Sequence, residues 1–230
     1  MGNVEKAALV IKNSSYLSCF TGAGISVESG IPVFRGDDGV YAKYSHDLLE
    51  IKNYRNKTLE SWLAVKVIFY NRFENAKPNI AHKILAQWQK NGLLKYIITQ
   101  NIDNLHFEAG CNNVIEYHGN KEYFICLECV GKFSIKEIAL DEAPPVCPKC
   151  GGLLKPDFVF FGEPIPSDAA RLSHEVAKKS DVHIIIGTTG EVQPASYIPY
   201  YAKKSNAFII EINPRSEEHT SELQSHSDLV

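Results

Sequence analysis

The sequence predicts an α/β fold, with a doubly wound, mostly parallel sheet and a small inserted cysteine-rich module. Four short runs, at 16–20, 96–99, 182–186 and 207–212, are apolar on both faces, as are strands that helices cover on both sides. Stretches with helical spacing alternate with these runs, which is typical of β-α-β units. The module is predicted by cysteine spacing alone.

Helical spacing is found at 59–73, 80–91 and 167–180. Pro78 separates the first two stretches, and Gly92 stands where a helix commonly ends. Residues 33–54 show no clean period, so we expect a long loop with short helices there.

Composition narrows the classes of protein that this chain can represent. Its 230 residues, 44% of them hydrophobic, suffice for a core and exclude disorder throughout. A net charge of −3 offers no basic surface for direct nucleic-acid binding. No apolar run reaches the roughly 18–20 residues that cross a bilayer, and the amino terminus has no signal segment. We therefore expect a cytoplasmic protein without a membrane partner. The oligomeric state is not predicted.

A glycine turn follows the first strand, in the order Thr21, Gly22, Ala23, Gly24. Glycines let backbone N–H groups approach a pyrophosphate, and a helix start favours its negative charge. Because Val27 takes the third glycine position of the dinucleotide fingerprint, an ordinary tight turn remains the alternative.

Phe34 and Arg35 come soon after this turn. The guanidinium group of Arg35 suits a phosphate or a carboxylate, and Phe34 suits the face of a planar ring. A surface turn with a solvated arginine is an equally good interpretation.

Polar residues also stand at three further strand ends, beyond which doubly wound sheets bind their ligands. Asn101 and Asp103 follow the strand at 96–99 and suit a carboxamide or ribose hydroxyls, or else they cap a helix. Gly187 with Thr188, and Asn213, end the last two strands and offer groups for phosphate or ribose.

His118 and Gly119 form a candidate catalytic pair. Histidine is the usual general base near neutral pH, and glycine permits close approach of a substrate. A single histidine is more often structural, so this prediction depends on the surrounding motifs.

Four cysteines, Cys126, Cys129, Cys147 and Cys150, form two CxxC units. Two such units complete a tetrahedral, closed site, which predicts one structural zinc ion in a segment with little core of its own. A rubredoxin-like iron site is the minor alternative. Cys19, inside an apolar run, is expected to be a buried small hydrophobic residue.

Taken together and in order, these motifs resemble the sirtuin family of NAD-dependent protein-lysine deacylases. The motifs are Gly22-Ala-Gly-Ile-Ser26, Phe34-Arg35-Gly36, Gln100-Asn-Ile-Asp103, His118-Gly119, the paired CxxC units and Phe161-Gly162-Glu163. The match extends over about residues 16–214.

The resemblance implies a Rossmann-type NAD-binding domain, a smaller zinc-containing domain and an acyl-lysine peptide between them. The acyl oxygen attacks C1′ of the nicotinamide ribose and expels nicotinamide, and the acyl group passes to ADP-ribose. By the same resemblance the Rossmann-type domain comprises 1–36, 76–120 and 154–214, with a helical and loop part at 37–75 and the zinc module at 121–153.

Residue roles follow from the resemblance as well. His118 is the implied general base, Asn101 organises the ribose, and Ile102 and Asp103 hold the carboxamide. The implied cofactor-binding residues are Gly22, Ala23, Gly24, Phe34, Arg35, Gln100, Asn101, Ile102, Asp103, Gly187, Thr188 and Asn213. The implied substrate-binding residues are His118 and the added-strand segment with Val159, Phe161, Gly162 and Glu163.

The chain departs from the family pattern at several points. Val33 replaces a usual Asp or Thr, and Thr189 replaces a common serine. Members that prefer acidic acyl groups carry Tyr-x-x-Arg, whereas here arginine follows Tyr70 one residue too early, about 100° away on a helix. We therefore expect an acetyl or another uncharged acyl group. An ADP-ribosyltransferase and an NAD- or acyl-peptide-binding module remain alternatives.

Residues 215–230 are rich in Ser, Glu and His and have no apolar face. They resemble the translation of a common sequencing-library adapter, and a natural disordered tail is the alternative. We leave them out of the prediction of the fold.

Overall fold

The computed structural model describes residues 2–33, 39–40, 44–71, 73 and 75–213. Phe34, Arg35, the arginine at position 72 and the tail 215–230 lie outside the described residues, and what the sequence predicts for them stays a prediction.

Two separate sheets organise the described part of the chain. Its strands are β1 Leu17–Thr21, β2 Leu94–Thr99, β3 Val114–Glu116, β4 Gly119–Cys126, β5 Lys132–Ser134, β6 Leu154–Phe158, β7 Val182–Ile186 and β8 Phe208–Ile212. The larger sheet is parallel with the order β3-β2-β1-β7-β8, and the smaller one is antiparallel with the order β5-β4-β6. The predicted fold class is confirmed. The apolar run at 182–186 has the bounds of β7, and the other three runs differ from the observed strands by one or two residues at an end.

The central strand β1 is buried along its whole length. Alternate side chains of a strand point to opposite faces, and here they enter two different cores. Phe20 packs in one core with Ile98 and Ile185, whereas Leu17 and Cys19 pack in the other. Cys19 is therefore the buried small hydrophobic residue that its position predicts.

Helices pack against the parallel sheet and against the smaller one. They are α1 Asn3–Lys12, α2 Ile51–Asn56, α3 Thr58–Val65, α4 Ile80–Lys90, α5 Leu105–Glu108, α6 Ser167–Lys179 and α7 Tyr197–Lys204. Helix α4 begins after Asn79, whose side chain accepts hydrogen bonds from the helix, and Gly92 beyond its end is left-handed with φ +74°. No helix among the described residues is both long and apolar enough to span a bilayer.

The helix predicted at 59–73 is interrupted. Helix α3 ends at Val65, and Lys66–Asn71 continues as a π-helix. Ile68, Phe69 and Tyr70 are all buried. The wider turn of a π-helix brings such consecutive side chains closer to one face than an α-helix does.

The cysteine-rich segment packs against the helical stretch that precedes α4. Phe124, Phe133 and Leu154 are buried in one cluster with residues of the helical stretch that precedes α4, among them Tyr54 and Trp62. The Tyr54 hydroxyl donates to the Leu154 carbonyl at 2.9 Å, which ties helix α2 to strand β6. The segment therefore shares its core with residues that are distant in sequence, which is consistent with the prediction that it has little core of its own.

Candidate active site

The candidate site lies at the carboxyl ends of β1, β2, β7 and β8. Strand order reverses around β1, since β2 lies on one side and β7 on the other. Doubly wound sheets bind ligands at such a switch point. The turns after these strands contain the predicted residues Gly22–Gly24, Gln100–Asp103, Gly187–Thr188 and Asn213.

The glycines after β1 and β7 interlock. The Gly24 N–H donates to the Gly187 carbonyl at 2.8 Å, and a Cβ atom on Gly24 would lie 2.6 Å from the Gly187 Cα. A Cβ atom on Gly22 would lie 2.7 Å from the Thr188 Cβ. Close packing of two turns is therefore one physical reason for these glycines, alongside the approach of a phosphate.

Thr188 joins the turns of three strands. Its hydroxyl accepts hydrogen bonds from Gln100 Nε2 at 3.1 Å and from the Gly190 N–H at 3.2 Å. Its carbonyl accepts from Asn213 Nδ2 at 3.0 Å. Predicted cofactor residues from β2, β7 and β8 are thus held in one hydrogen-bonded unit.

Asn101 and Asp103 converge on Ser26, a residue that the sequence analysis did not assign to the site. The Ser26 hydroxyl donates to Asp103 Oδ2 at 2.7 Å and accepts from Asn101 Nδ2 at 3.3 Å. Asn101 Nδ2 also donates to the Gly22 carbonyl at 3.1 Å, and Asp103 Oδ1 accepts from the Leu105 N–H at 3.0 Å. Asp103 therefore accepts the first N–H of helix α5, whose N-cap position is Asn104, and also lies at the candidate site. The sequence feature that could have identified Ser26 is its position just after the glycine turn, in Gly22-Ala-Gly-Ile-Ser26.

Ile102 is buried with the aromatic core of the smaller sheet. Its carbonyl accepts the Lys121 N–H at 3.3 Å. The residue therefore connects the end of β2 to strand β4, and its side chain is part of a core.

His118 Nδ1 lies 3.1 Å from the Gln100 carbonyl oxygen. A carbonyl can only accept, so Nδ1 carries the proton and Nε2 keeps its lone pair. Burial lowers the pKa of His118, and the hydrogen bond to Gln100 partly offsets this effect. The imidazole is thereby held neutral, in the tautomer that a base at Nε2 requires.

A pair of histidines, His82 and His106, lies near the end of β1 and was not predicted. The Thr21 hydroxyl donates to Thr99 Oγ1 at 2.9 Å, so it must accept from His106 Nε2, which is also 2.9 Å away. The rings of His106 and His82 have centroids 4.9 Å apart. Burial lowers the pKa of His82, and it lowers that of His106 to about 3.

The predicted substrate segment follows strand β6. The Val159 N–H donates to the His118 carbonyl at 2.9 Å, which connects this segment directly to the candidate base. Phe161 forms an isolated parallel bridge with Glu50, donating to the Leu49 carbonyl and accepting from the Ile51 N–H, each at 3.0 Å. Pairing with a further strand must therefore use other backbone groups of the segment.

An ion pair between a buried lysine and a partly buried glutamate shapes the same segment. Lys155 Nζ lies 2.9 Å from Glu163 Oε2 and donates to the Phe158 carbonyl at 2.6 Å. The same Glu163 oxygen accepts the Phe160 N–H at 2.8 Å. Burial lowers the pKa of Lys155, although the Glu163 charge opposes this shift. Glu163 therefore fixes the local backbone rather than standing free.

The four cysteines form the predicted cluster. Cys126 and Cys150 have sulfur atoms 3.5 Å apart, those of Cys129 and Cys147 are 3.7 Å apart, and all four lie within 4.8 Å of one another. A tetrahedral zinc site with bonds of about 2.3 Å has sulfur atoms about 3.8 Å apart. The backbone N–H groups of Cys129 and Glu128 donate to Cys126 Sγ and lower the pKa of that thiol. The donor set and spacing fit one zinc ion.

Residues 22–194 match the family model described as the Sir2 family. The NAD-dependent protein deacylase of Pyrococcus furiosus is 44% identical over 219 residues, covering 93% of this chain and 86% of that protein. The NAD-dependent protein deacylase of Aeropyrum pernix is 43% identical over 217 residues, covering 93% and 87%. A solved structure of Sir2 with a p53 peptide and NAD+ has a TM-score of 0.84 and 33% identity, covering 92% of this chain and 87% of that one.

Proposed function

The chain belongs to the Sir2 family. From that premise we propose that it is an NAD-dependent protein-lysine deacylase and that the residues described above carry out the reaction. The observation that carries this function is a continuous series of hydrogen bonds. It runs from Asn213 through Thr188 and Gln100 to His118, and from His118 to Val159. The predicted dinucleotide, base and peptide residues are thereby one connected site.

The strand ends suit NAD. When bound, NAD supplies ADP-ribose as the acyl acceptor and nicotinamide as the leaving group. Gly22 and Gly24 keep the turn after β1 free of side chains that would block a pyrophosphate. Both N–H groups of the Asn101 amide are engaged by Gly22 and Ser26, so its Oδ1 is the group left for a ribose hydroxyl. The Asp103 carboxylate only accepts, which suits the NH₂ of a carboxamide.

His118 takes a proton at Nε2. Its Nδ1–H is committed to the Gln100 carbonyl, so the ring cannot turn without losing that bond. The lowered pKa keeps the imidazole neutral at physiological pH, and a neutral imidazole can accept the proton of a ribose hydroxyl. The adjacent Gly119 has φ +72°, and a Cβ atom there would collide with the Asp157 carbonyl. A glycine is therefore required at position 119, where strand β4 begins next to the base and against Asp157.

The preferred acyl group is acetyl or another uncharged group. Tyr70, which would have to bind an acyl carboxylate, is buried and stacked on Phe124 with ring centroids 5.9 Å apart. Its hydroxyl donates to the Lys121 carbonyl at 3.3 Å. Burial raises the pKa of this phenol, so the environment disfavours charge at that position.

The deciding experiment is mass spectrometry of an acetyl-lysine peptide incubated with the protein, with and without NAD. We expect deacetylation only with NAD, and formation of nicotinamide and O-acetyl-ADP-ribose in equal amounts. The His118→Ala variant is the matched control and should leave the peptide acetylated. ADP-ribose attached to protein instead would establish a transferase, and NAD binding without any product would establish a binding module.

A further inference from the structure

Asn79 makes hydrogen bonds in two directions. Toward helix α4, its Oδ1 accepts the Ala81 N–H at 2.9 Å and the His82 N–H at 3.4 Å. Toward the cofactor turn, its Nδ2 donates to the Ile25 carbonyl at 2.7 Å and to the Ser29 hydroxyl at 3.1 Å. The first set is an ordinary helix cap, whereas the second joins α4 to the segment Ala23–Ser29.

The cofactor turn needs such a support. Ala23–Ser29 is a 3₁₀-helix that begins at the two glycines, and a short 3₁₀-helix is intrinsically weak. On one side it is held by Ser26, which donates to Asp103. Asn79 binds the same turn at Ile25 and Ser29, one on each side of Ser26 in the sequence. The Asn79 amide therefore holds the turn that a pyrophosphate would approach through one backbone carbonyl and one side-chain hydroxyl.

Asn79 also fixes the tautomer of His82, the buried histidine beside it. His82 Nδ1 lies 3.0 Å from Asn79 Oδ1, which as an acceptor requires the proton on Nδ1. The His82 ring lies against His106, which in turn reaches Thr21 at the end of β1. Through these contacts Asn79 touches both the turn and the polar residues beneath it.

We propose that Asn79 is a positioning residue for the dinucleotide, acting through its Nδ2 donors on the turn Ala23–Ser29. This rests on the proposed function, because it assigns NAD to that turn. The amide itself touches no reacting atom. Loss of the amide should weaken the binding of NAD and ADP-ribose and leave peptide binding unaffected, because its Nδ2 group donates only to the cofactor turn.

A residue that acts only as a helix cap would behave differently. Loss of a cap costs about 1 kcal/mol of stability without changing ligand affinity in the folded protein. The two functions of Asn79 use different atoms, so substitution can separate them. In Asn79→Asp the carboxylate still accepts from the helix but cannot donate to Ile25 or Ser29. Asn79→Ala removes both functions without adding charge.

The test measures KM for NAD, KM for an acetyl peptide and the Kd of ADP-ribose by calorimetry, together with Tm. We expect both Asn79 variants to raise the KM for NAD and the Kd of ADP-ribose about fivefold to tenfold, the effect of one or two hydrogen bonds. The peptide KM and kcat should stay within twofold. Tm should fall in both variants, because Asn79→Ala loses the helix cap and Asn79→Asp places a carboxylate oxygen against the Ile25 carbonyl. The ligand constants therefore distinguish a positioning residue from a cap.

Ser134→Ala is the matched control, because Ser134 caps a 3₁₀-helix in the cysteine-rich segment through the Lys136 N–H. It should lower Tm and leave every ligand constant unchanged. ADP-ribose affinity equal to the wild type in both Asn79 variants would overturn the inference and leave the proposed function intact. A wild-type chain that binds neither NAD nor ADP-ribose would overturn both.

Discussion

The Nδ1 atom of His118 lies 3.1 Å from the carbonyl oxygen of Gln100, the same residue whose side chain binds Thr188. Gln100 thus orients the base with its backbone and the cofactor turn with its amide. Because the contact to His118 is made by a backbone oxygen, no substitution of Gln100 removes it directly. The base itself is the position to test.

His118→Ala should abolish deacylation while NAD binding stays close to wild type, since the described hydrogen bond of the side chain is to the backbone carbonyl of Gln100, and the Gln100 side chain keeps its own bond to Thr188. In the wild type, log kcat/KM should fall on the acid side with a midpoint below about pH 6.5, because burial lowers the pKa of the free base. The pH profile and calorimetric NAD binding measure both effects. Wild-type turnover in the variant would refute the assignment of the base.

Local pattern predicted much of the fold and most of the polar residues of the site. Val182–Ile186 was predicted with its observed bounds because it is apolar on both faces. Helix α7 was missed because its first turn contains Pro199 and its exposed face carries tyrosines, a pattern without clear helical spacing. Contacts between distant residues could not be predicted, and Lys155 with Glu163 is an example.

Glu163→Gln should destabilise the protein by about 2–4 kcal/mol, because it leaves the Lys155 ammonium buried without its counter-charge. Adding Lys155→Met to that variant should recover part of the loss. Urea unfolding of the wild type, both single variants and the double variant measures this coupling. The surface pair Arg171–Glu175 is the control, and breaking it should cost little. Additive effects of Lys155→Met and Glu163→Gln would argue against a coupled pair.

Cys147→Ser should lose the bound metal and lower Tm, because a serine hydroxyl does not replace the fourth thiolate of a tetrahedral site. Metal content by mass spectrometry is the direct measurement, and a colourless protein distinguishes zinc from iron. Cys111→Ser is the control, since Cys111 is buried away from the cluster. Equal metal content in wild type and Cys147→Ser would exclude the four-thiolate site.

An acetyl-lysine peptide should be turned over at least tenfold faster, as kcat/KM, than the same peptide carrying a succinyl group. The Tyr70 hydroxyl is committed to the Lys121 carbonyl, and leaving a carboxylate unpaired in an apolar setting costs several kcal/mol. Tyr70→Phe should leave deacetylation nearly unchanged. Comparable rates on the two peptides would show that another group binds the acyl carboxylate.

His183 makes stability depend on pH. It is fully buried on β7, its Nδ1 lies 2.6 Å from the Ser18 hydroxyl, and burial lowers its pKa to about 4. The unfolded chain binds a proton near pH 6.5, whereas the folded chain does not. The free energy of unfolding should therefore be highest above pH 6.5 and fall as the pH drops from 6.5 to about 4.

The slope contributed by one such histidine is about 1.4 kcal/mol per pH unit. Carboxylates titrate in the same window, so the wild type is compared with His183→Gln, which keeps a polar partner for Ser18 and removes the titrating ring. The difference in free energy of unfolding between the two proteins should shift in favour of the variant as the pH falls from 6.5 to 4. A difference that is constant across this range would mean that His183 takes up its proton equally in the folded and unfolded states.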